Sequence, residues 1–247
     1  MTSRLLIVAL ALGSIIPAQA GLIVDIGGTV SGGVYTPGTV YLDNQAGVDA
    51  NPAIGIIDIG TFLNTVAVNF VINGFTATSG TPIGSLTLNA NANLLDTTVL
   101  PFGLNVLISD TDFTQPGPPL ILSQTVNLLS SAGGLSANGT AVGYFGQSNT
   151  NFDVSGPSTG DATSILAGGV NTNVPSSSGI ISSGANPYSL TMFIHTDITA
   201  RGTDPIQNLQ INSDLSVGPA AVPEPGSILL MAAGLLGLAA LSRRRLS

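Results

Sequence analysis

Between residues 21 and 221, turn-forming residues recur so closely that no long helix can be written through them. The chain of 247 residues carries 31 glycines and 15 prolines, and no apolar spacing near 3.6 residues survives between them. Alternation does survive. From Ser85 to Asn93, Leu86, Leu88, Ala90 and Ala92 take turns with Thr87, Asn89, Asn91 and Asn93. That is the two-residue period of a strand with one buried face. Ser189 to Thr199 repeats the pattern, with Leu190, Met192, Ile194 and Ile198 on one face and His195 and Asp197 on the other. Further strands are predicted at Leu22 to Ile26, Thr65 to Ile72, Leu104 to Ser109, Ile121 to Leu128, Gly139 to Phe145 and Leu209 to Val217.

The connections carry turn chemistry. Asn73-Gly74 and Asn138-Gly139 are hairpin signals. Gln115 to Pro119 reads as a rigid crossing, and Ser155 to Gly160 and Pro175 to Pro187 as Ser/Gly/Pro-rich loops. Asp161 to Ala167 reads as one or two helical turns capped by Asp161 and ended by Gly168-Gly169. Short strands at this spacing predict an all-β fold, an antiparallel β-sandwich or jelly roll, with Leu86, Leu88, Leu190, Met192 and Ile194 facing the core. No fixed repeat supports a solenoid.

Both ends of the sequence differ from this middle. Arg4, the apolar run Leu5 to Ile16, and Ala18-Gln19-Ala20 have the order of a secretory signal with an A-x-A cleavage site. Residues 1–20 are therefore expected to be a signal helix, and the mature chain to begin at Gly21. At the other end, residues 222–247 hold Pro223-Glu224-Pro225, an uncharged apolar run from 226 to 242, and Arg243, Arg244 and Arg245. The prolines keep the triplet extended. The run is long enough for a short transmembrane helix, at the lower end of the roughly 17–25 residues required. The arginines act as a stop-transfer cluster that stays cytoplasmic.

This triplet, span and basic cluster, in order, resemble the PEP-CTERM sorting signal of exported bacterial proteins. The resemblance covers the C-terminal segment only. It implies recognition by an exosortase-type processing enzyme and cleavage near Pro223-Glu224-Pro225. It also implies an envelope or exopolysaccharide-associated setting.

Charge narrows the partners of the exported domain, residues 21–221. It holds twelve aspartates and one arginine, Arg201, for a net charge of −11, and the chain has no lysine. Nucleic-acid binding needs Lys and Arg to displace phosphate counterions, so that class is excluded. Cysteine is absent and His195 is the single histidine, which leaves no zinc or iron–sulfur ligand set. No cofactor is expected.

Candidate chemistry is sparse. Gly156-Pro157-Ser158-Thr159-Gly160 matches the G-x-S-x-G nucleophile pattern, but that pattern needs a strand–turn–helix context, and here it sits in a loop. His195 and Asp197 are two apart on one strand face, a spacing that does not give the in-line order of a catalytic triad. Asp110 and Asp112, two apart, are a candidate pair of oxygen ligands for Ca²⁺. Tyr35 and Tyr41 flank Pro37-Gly38 and are expected to pack against the sandwich edge.

The expected function is a non-enzymatic, exported surface or extracellular-matrix protein. It would pass through the secretion machinery, sit in the inner membrane through its C-terminal helix, and then be processed to the surface. The alternatives are a secreted glycan- or Ca²⁺-binding β-sandwich module and, behind it, a secreted hydrolase. The hydrolase loses on inventory, since the exported domain has no Glu, Lys or Cys. A concave patch gathering Tyr and Asp side chains is the feature that separates a binding module from a purely structural protein.

Overall fold

Alternating side chains build a two-layer β-structure. The computed structural model describes residues 21–59, 62–64, 70–80, 84–95, 100–114, 119–130, 133–171, 176–182, 186–203 and 206–220. In chain order the strands begin with β1 (Ile23–Ile26), β2 (Thr29–Ser31), β3 (Val34–Thr36), β4 (Thr39–Leu42) and β5 (Ile56–Ile59). They continue with β6 (Phe62–Asn64), β7 (Phe70–Gly80), β8 (Ser85–Leu95), β9 (Phe102–Phe113), β10 (Leu120–Ser130) and β11 (Ser136–Gly146). The last are β12 (Ala162–Ala167), β13 (Val170–Asn171), β14 (Ser176–Ile181), β15 (Tyr188–Ala200) and β16 (Ile206–Pro219). No helix occurs among the described residues, and none there is long and apolar enough to cross a membrane. The expected signal helix at 1–20 and span at 226–242 lie outside the described residues.

The first sheet runs β13-β12-β11-β15-β9-β1-β4 and the second β14-β10-β16-β8-β7-β5, with β6 also paired to β7. All their pairings are antiparallel. β2 and β3 pair only with each other, as a separate small hairpin.

The core lies between the sheets. Leu86, Leu88 and Leu94 of β8 meet Leu190, Met192 and Ile194 of β15, all of them fully buried. Each such side chain removed from water contributes about 1.5–3 kcal/mol before entropy is counted. Gln124 is one of the polar side chains buried with them. Buried between the layers, it donates to Ser213 Oγ at 2.7 Å. Tyr188 stacks on Phe145 with ring centroids 4.4 Å apart, and burial pushes its phenol up to about 12.

Local structure departs from the sequence expectation where tertiary pairing overrides turn chemistry. Asn73-Gly74 does not turn the chain. It lies inside β7, where the register slips between Ile72 and Phe75, so the extra residue is absorbed as a bulge and pairing with β8 resumes. Asn138-Gly139 is likewise inside β11, bonded to β12 and β15. Asp161 to Ala167 is not helical, because Ala162 to Ala167 pair with β11 as β12. Gly168 and Gly169 then close the β12–β13 hairpin with φ of 61° and 86°, the left-handed pair a tight hairpin needs. The stretch from Pro175 to Pro187, expected as a loop, contains β14. Residues 65–69 of one predicted strand, and 115–118 of the Pro-rich crossing, lie outside the described residues.

Candidate functional site

Strand register brings the outward side chains of three central strands side by side. Thr140 of β11, His195 of β15 and Asn105 of β9 share one row. Val142 and Phe193 share the next. Opposite faces of a strand alternate, so this row looks away from the core that Ala141, Ile194 and Val106 enter. Tyr144 extends the floor, Asp161 stands at one side, and Thr29 and Val30 of β2 stand at the other. Together they enclose an open groove of about 470 Å³.

The floor is held by a polar row. His195 Nδ1 lies 2.5 Å from Asn105 Oδ1, and its Nε2 lies 3.0 Å from Asp197 Oδ2. The imidazole is thus fixed from both nitrogens, with its side chain 38% exposed. Phe193 and Tyr144 are half-buried, each leaving part of a ring open to the groove. The phenol of Tyr144 is pushed up by burial and by the negative charge of Asp161.

One wall is tied down by a buried carboxylate. Asp25, fully buried on β1, accepts from the Gly28 amide at 3.2 Å and the Gly38 amide at 2.8 Å, and from the Tyr35 hydroxyl. These three donors bracket β2-β3, so Asp25 holds the hairpin whose Thr29 and Val30 line the groove. The Tyr35 ring stacks on Phe152 at 4.5 Å, joining the hairpin to the β11–β12 connection. Burial, the hydrogen bond to Asp25 and the Asp25 charge all push the Tyr35 phenol up. Tyr41 is buried against the core. Tyr41, on the edge strand β4, packs as the sequence suggests, whereas Tyr35 sits on the separate hairpin and packs on Phe152.

The other sequence candidates fall elsewhere. Asp110 and Asp112 both lie within β9. Asp110 is buried and takes a hydrogen bond from Ser79 of the facing sheet. Asp112 is exposed, adopts φ 65° beside a register slip, and exchanges two 2.8 Å hydrogen bonds with Asn149. Among the described residues no three His, Cys, Asp or Glu side chains come together as a metal site. Ser158 is exposed and bridges Tyr144 across the edge of β11, which is strand-like surroundings and not the strand–turn–helix of a nucleophile. His195 and Asp197 do meet, and Asn105 joins them. Asn105, Thr140, Tyr144, Asp161 and Phe193 are not legible as a group in the sequence, because only the register of β9, β11 and β15 gathers them.

Beyond the sandwich, the chain continues past Ala220 into the triplet, the apolar run and the arginines. Residues 221–245 match the PEP-CTERM protein-sorting motif. The PEP-CTERM motif implies an exported protein that is sorted by an exosortase. It takes in Pro223, Glu224, Pro225 and Arg243 to Arg245, the residues that carry the resemblance in the sequence. No curated protein matches the chain. Among solved structures, the mannan-recognising carbohydrate-binding module TmCBM27 is similar with a TM-score of 0.32 at 13% identity, covering 67% of this chain and 90% of its own. A carbohydrate-binding module of the β-sandwich superfamily, described for promiscuous specificity, gives 0.28 at 8% identity, covering 81% and 85%. The enzymatically active domain of tailspike protein 4 of bacteriophage CBA120 gives 0.22 at 9% identity, covering 80% of this chain and 19% of the tailspike chain. No functional residue is carried over from these structures.

Proposed function

We propose that this PEP-CTERM-bearing chain is an exported, non-enzymatic surface protein that holds a glycan in the groove on the outer face of its first sheet. The observation that carries this reading is the gathering of Tyr144 and Phe193 with Asn105, Thr140 and Asp161 in one open groove. A sugar ring offers an apolar C–H face and a rim of hydroxyls. Partly exposed aromatic rings suit the first, and amide, hydroxyl and carboxylate groups suit the second. Catalysis is not part of the proposal. Glycoside cleavage generally requires two carboxylates flanking the bond; among the described residues Asp161 is the carboxylate that lines the groove, and Asp197 is engaged with His195.

The motif sets the life history we attach to this domain. Residues 1–20 direct export, and the 226–242 segment holds the protein in the inner membrane with Arg243 to Arg245 cytoplasmic. Processing near Pro223-Glu224-Pro225 then leaves the domain at the surface or in the matrix. Fractionation of an exosortase-bearing host tests this. Wild type should lose Arg243 to Arg245 and leave the membrane fraction, whereas Glu224→Ala should remain there uncleaved.

The groove is tested by calorimetric titration of the purified protein with cello-, manno-, xylo- and malto-oligosaccharides. At least one series should bind, and Phe193→Ala and Tyr144→Ala should each weaken it about tenfold, which is about 1.4 kcal/mol. Failure of every series to bind, or unchanged affinity in both variants, removes the glycan reading and leaves a purely structural surface protein.

A further inference from the structure

We infer that the groove selects uncharged sugars and turns away anionic ones. The inference rests on the glycan reading and adds the charge class of the ligand. The acidic groups at and around the groove argue the same way. Asp161 lines it directly. Asp197, paired with the groove residue His195, is 51% exposed. Asp25 lies behind the hairpin wall, its oxygens already taken by two amides and Tyr35. Tyr144 is a neutral hydroxyl beside Asp161.

His195 is the one group on the floor able to carry positive charge, and it is spent. Nδ1 faces Asn105 and Nε2 faces Asp197, so neither nitrogen is left to meet an incoming anion. Arg201 is not among the groove residues, and the chain has no lysine. Proteins bind carboxylate and sulfate through Arg or Lys side chains, or through helix N-termini. The groove offers no such side chain, and no helix occurs among the described residues.

A uronate or sulfate ester placed in the groove would therefore meet the Asp161 carboxylate and no Arg or Lys to receive it. It would lose its hydration without a replacement partner, and rejection of that kind is how a site gains specificity beyond its attractive contacts. A neutral sugar meets the same carboxylate differently. Its hydroxyls donate, and an ionised carboxylate is a strong acceptor.

The test uses matched pairs. Cello-, manno- and malto-oligosaccharides are each titrated beside the counterpart oxidised at the primary hydroxyl to the uronate, across a salt series. The oxidised form should bind at least about tenfold more weakly at low salt, and the gap should narrow as the Debye length falls to about 8 Å near physiological salt and below that in higher salt. Asp161→Asn should bring the two affinities closer together. Equal or tighter binding of the oxidised sugar, or a gap insensitive to salt, overturns the inference while the glycan reading stands. Binding of neither form by any pair overturns the glycan reading and this inference with it. The salt series on wild type requires no variant to fold.

Discussion

The Tyr35 hydroxyl donates a hydrogen bond to the carboxylate of Asp25 across ten positions of sequence, and this bond ties the β2-β3 hairpin to β1 of the first sheet. A hydrogen bond to a charged, largely buried acceptor contributes about 1.5–3 kcal/mol. Tyr35→Phe keeps the ring on Phe152 and removes only the donor. It should lower the melting temperature and speed amide exchange across residues 28–38, with β15 and β16 still protected. Unchanged exchange at Gly28 and Gly38 would show that the two amides hold the hairpin unaided.

Asp110 gives a pH dependence whose sign runs against the usual carboxylate. Burial pushes it up, hydrogen bonds from Ser79 and the Thr111 amide pull it down, and the charges of Asp112 and Asp43 push it up again, leaving it above the ordinary range. A raised folded value means that the folded state keeps its proton where the unfolded state has released it. Stability from this group is therefore fully present below about pH 3.9 and is lost as pH rises through the folded value. Asp110→Asn should melt higher than wild type at neutral pH and level with it in acid. A gain of about 1 kcal/mol would appear as about 2–4 °C. A variant less stable than wild type at pH 7 would mean that the Ser79 bond outweighs the burial cost.

Gly143 is a contact point between the layers. A Cβ there would sit 2.1 Å from Leu215 Cδ1 and 3.2 Å from Gln124 Oε1, both of them core side chains. Gly143→Ala should destabilise by about 1–3 kcal/mol, the usual cost of overpacking. Val142 and Tyr144 flank it on the opposite face, so denaturant midpoints should fall while the groove residues themselves are unaltered. A neutral outcome would show that β11 can shift outward without loss.

Much of the sandwich is legible in the sequence because its strands are long and one-sided. Leu86, Leu88, Leu190, Met192 and Ile194 are buried as their spacing demands. Asn73-Gly74 and Asn138-Gly139 mislead, because a dipeptide that suits a bulge or a close packing contact is the same dipeptide that suits a turn. Asp161 to Ala167 misleads for another reason. Seven residues carry too little periodicity to tell a short helix from a strand, and the pairing with β11 decides it. The groove is the least legible part. Phe193 and His195 alternate visibly on one strand. Asn105 and Thr140 join them only through pairings that span tens of residues, and Asp25 gives no sign in sequence that two glycine amides and a phenol will close around it.

The place of β16 has a mechanical consequence. This last strand is not an edge. It is paired with β10 from Leu209 to Pro219 on one side and with β8 from Ile206 to Ser216 on the other, and the Ala220 amide is still tied to Pro119 O at 3.1 Å. The segment that carries the sorting motif begins at the next residue. A pull transmitted from that segment enters the sandwich through the middle of a sheet and not through a rim that could peel away strand by strand. Flow or drag on a tethered copy would load two ladders at once, in shear, so the domain can be held by its tail without being unravelled by it.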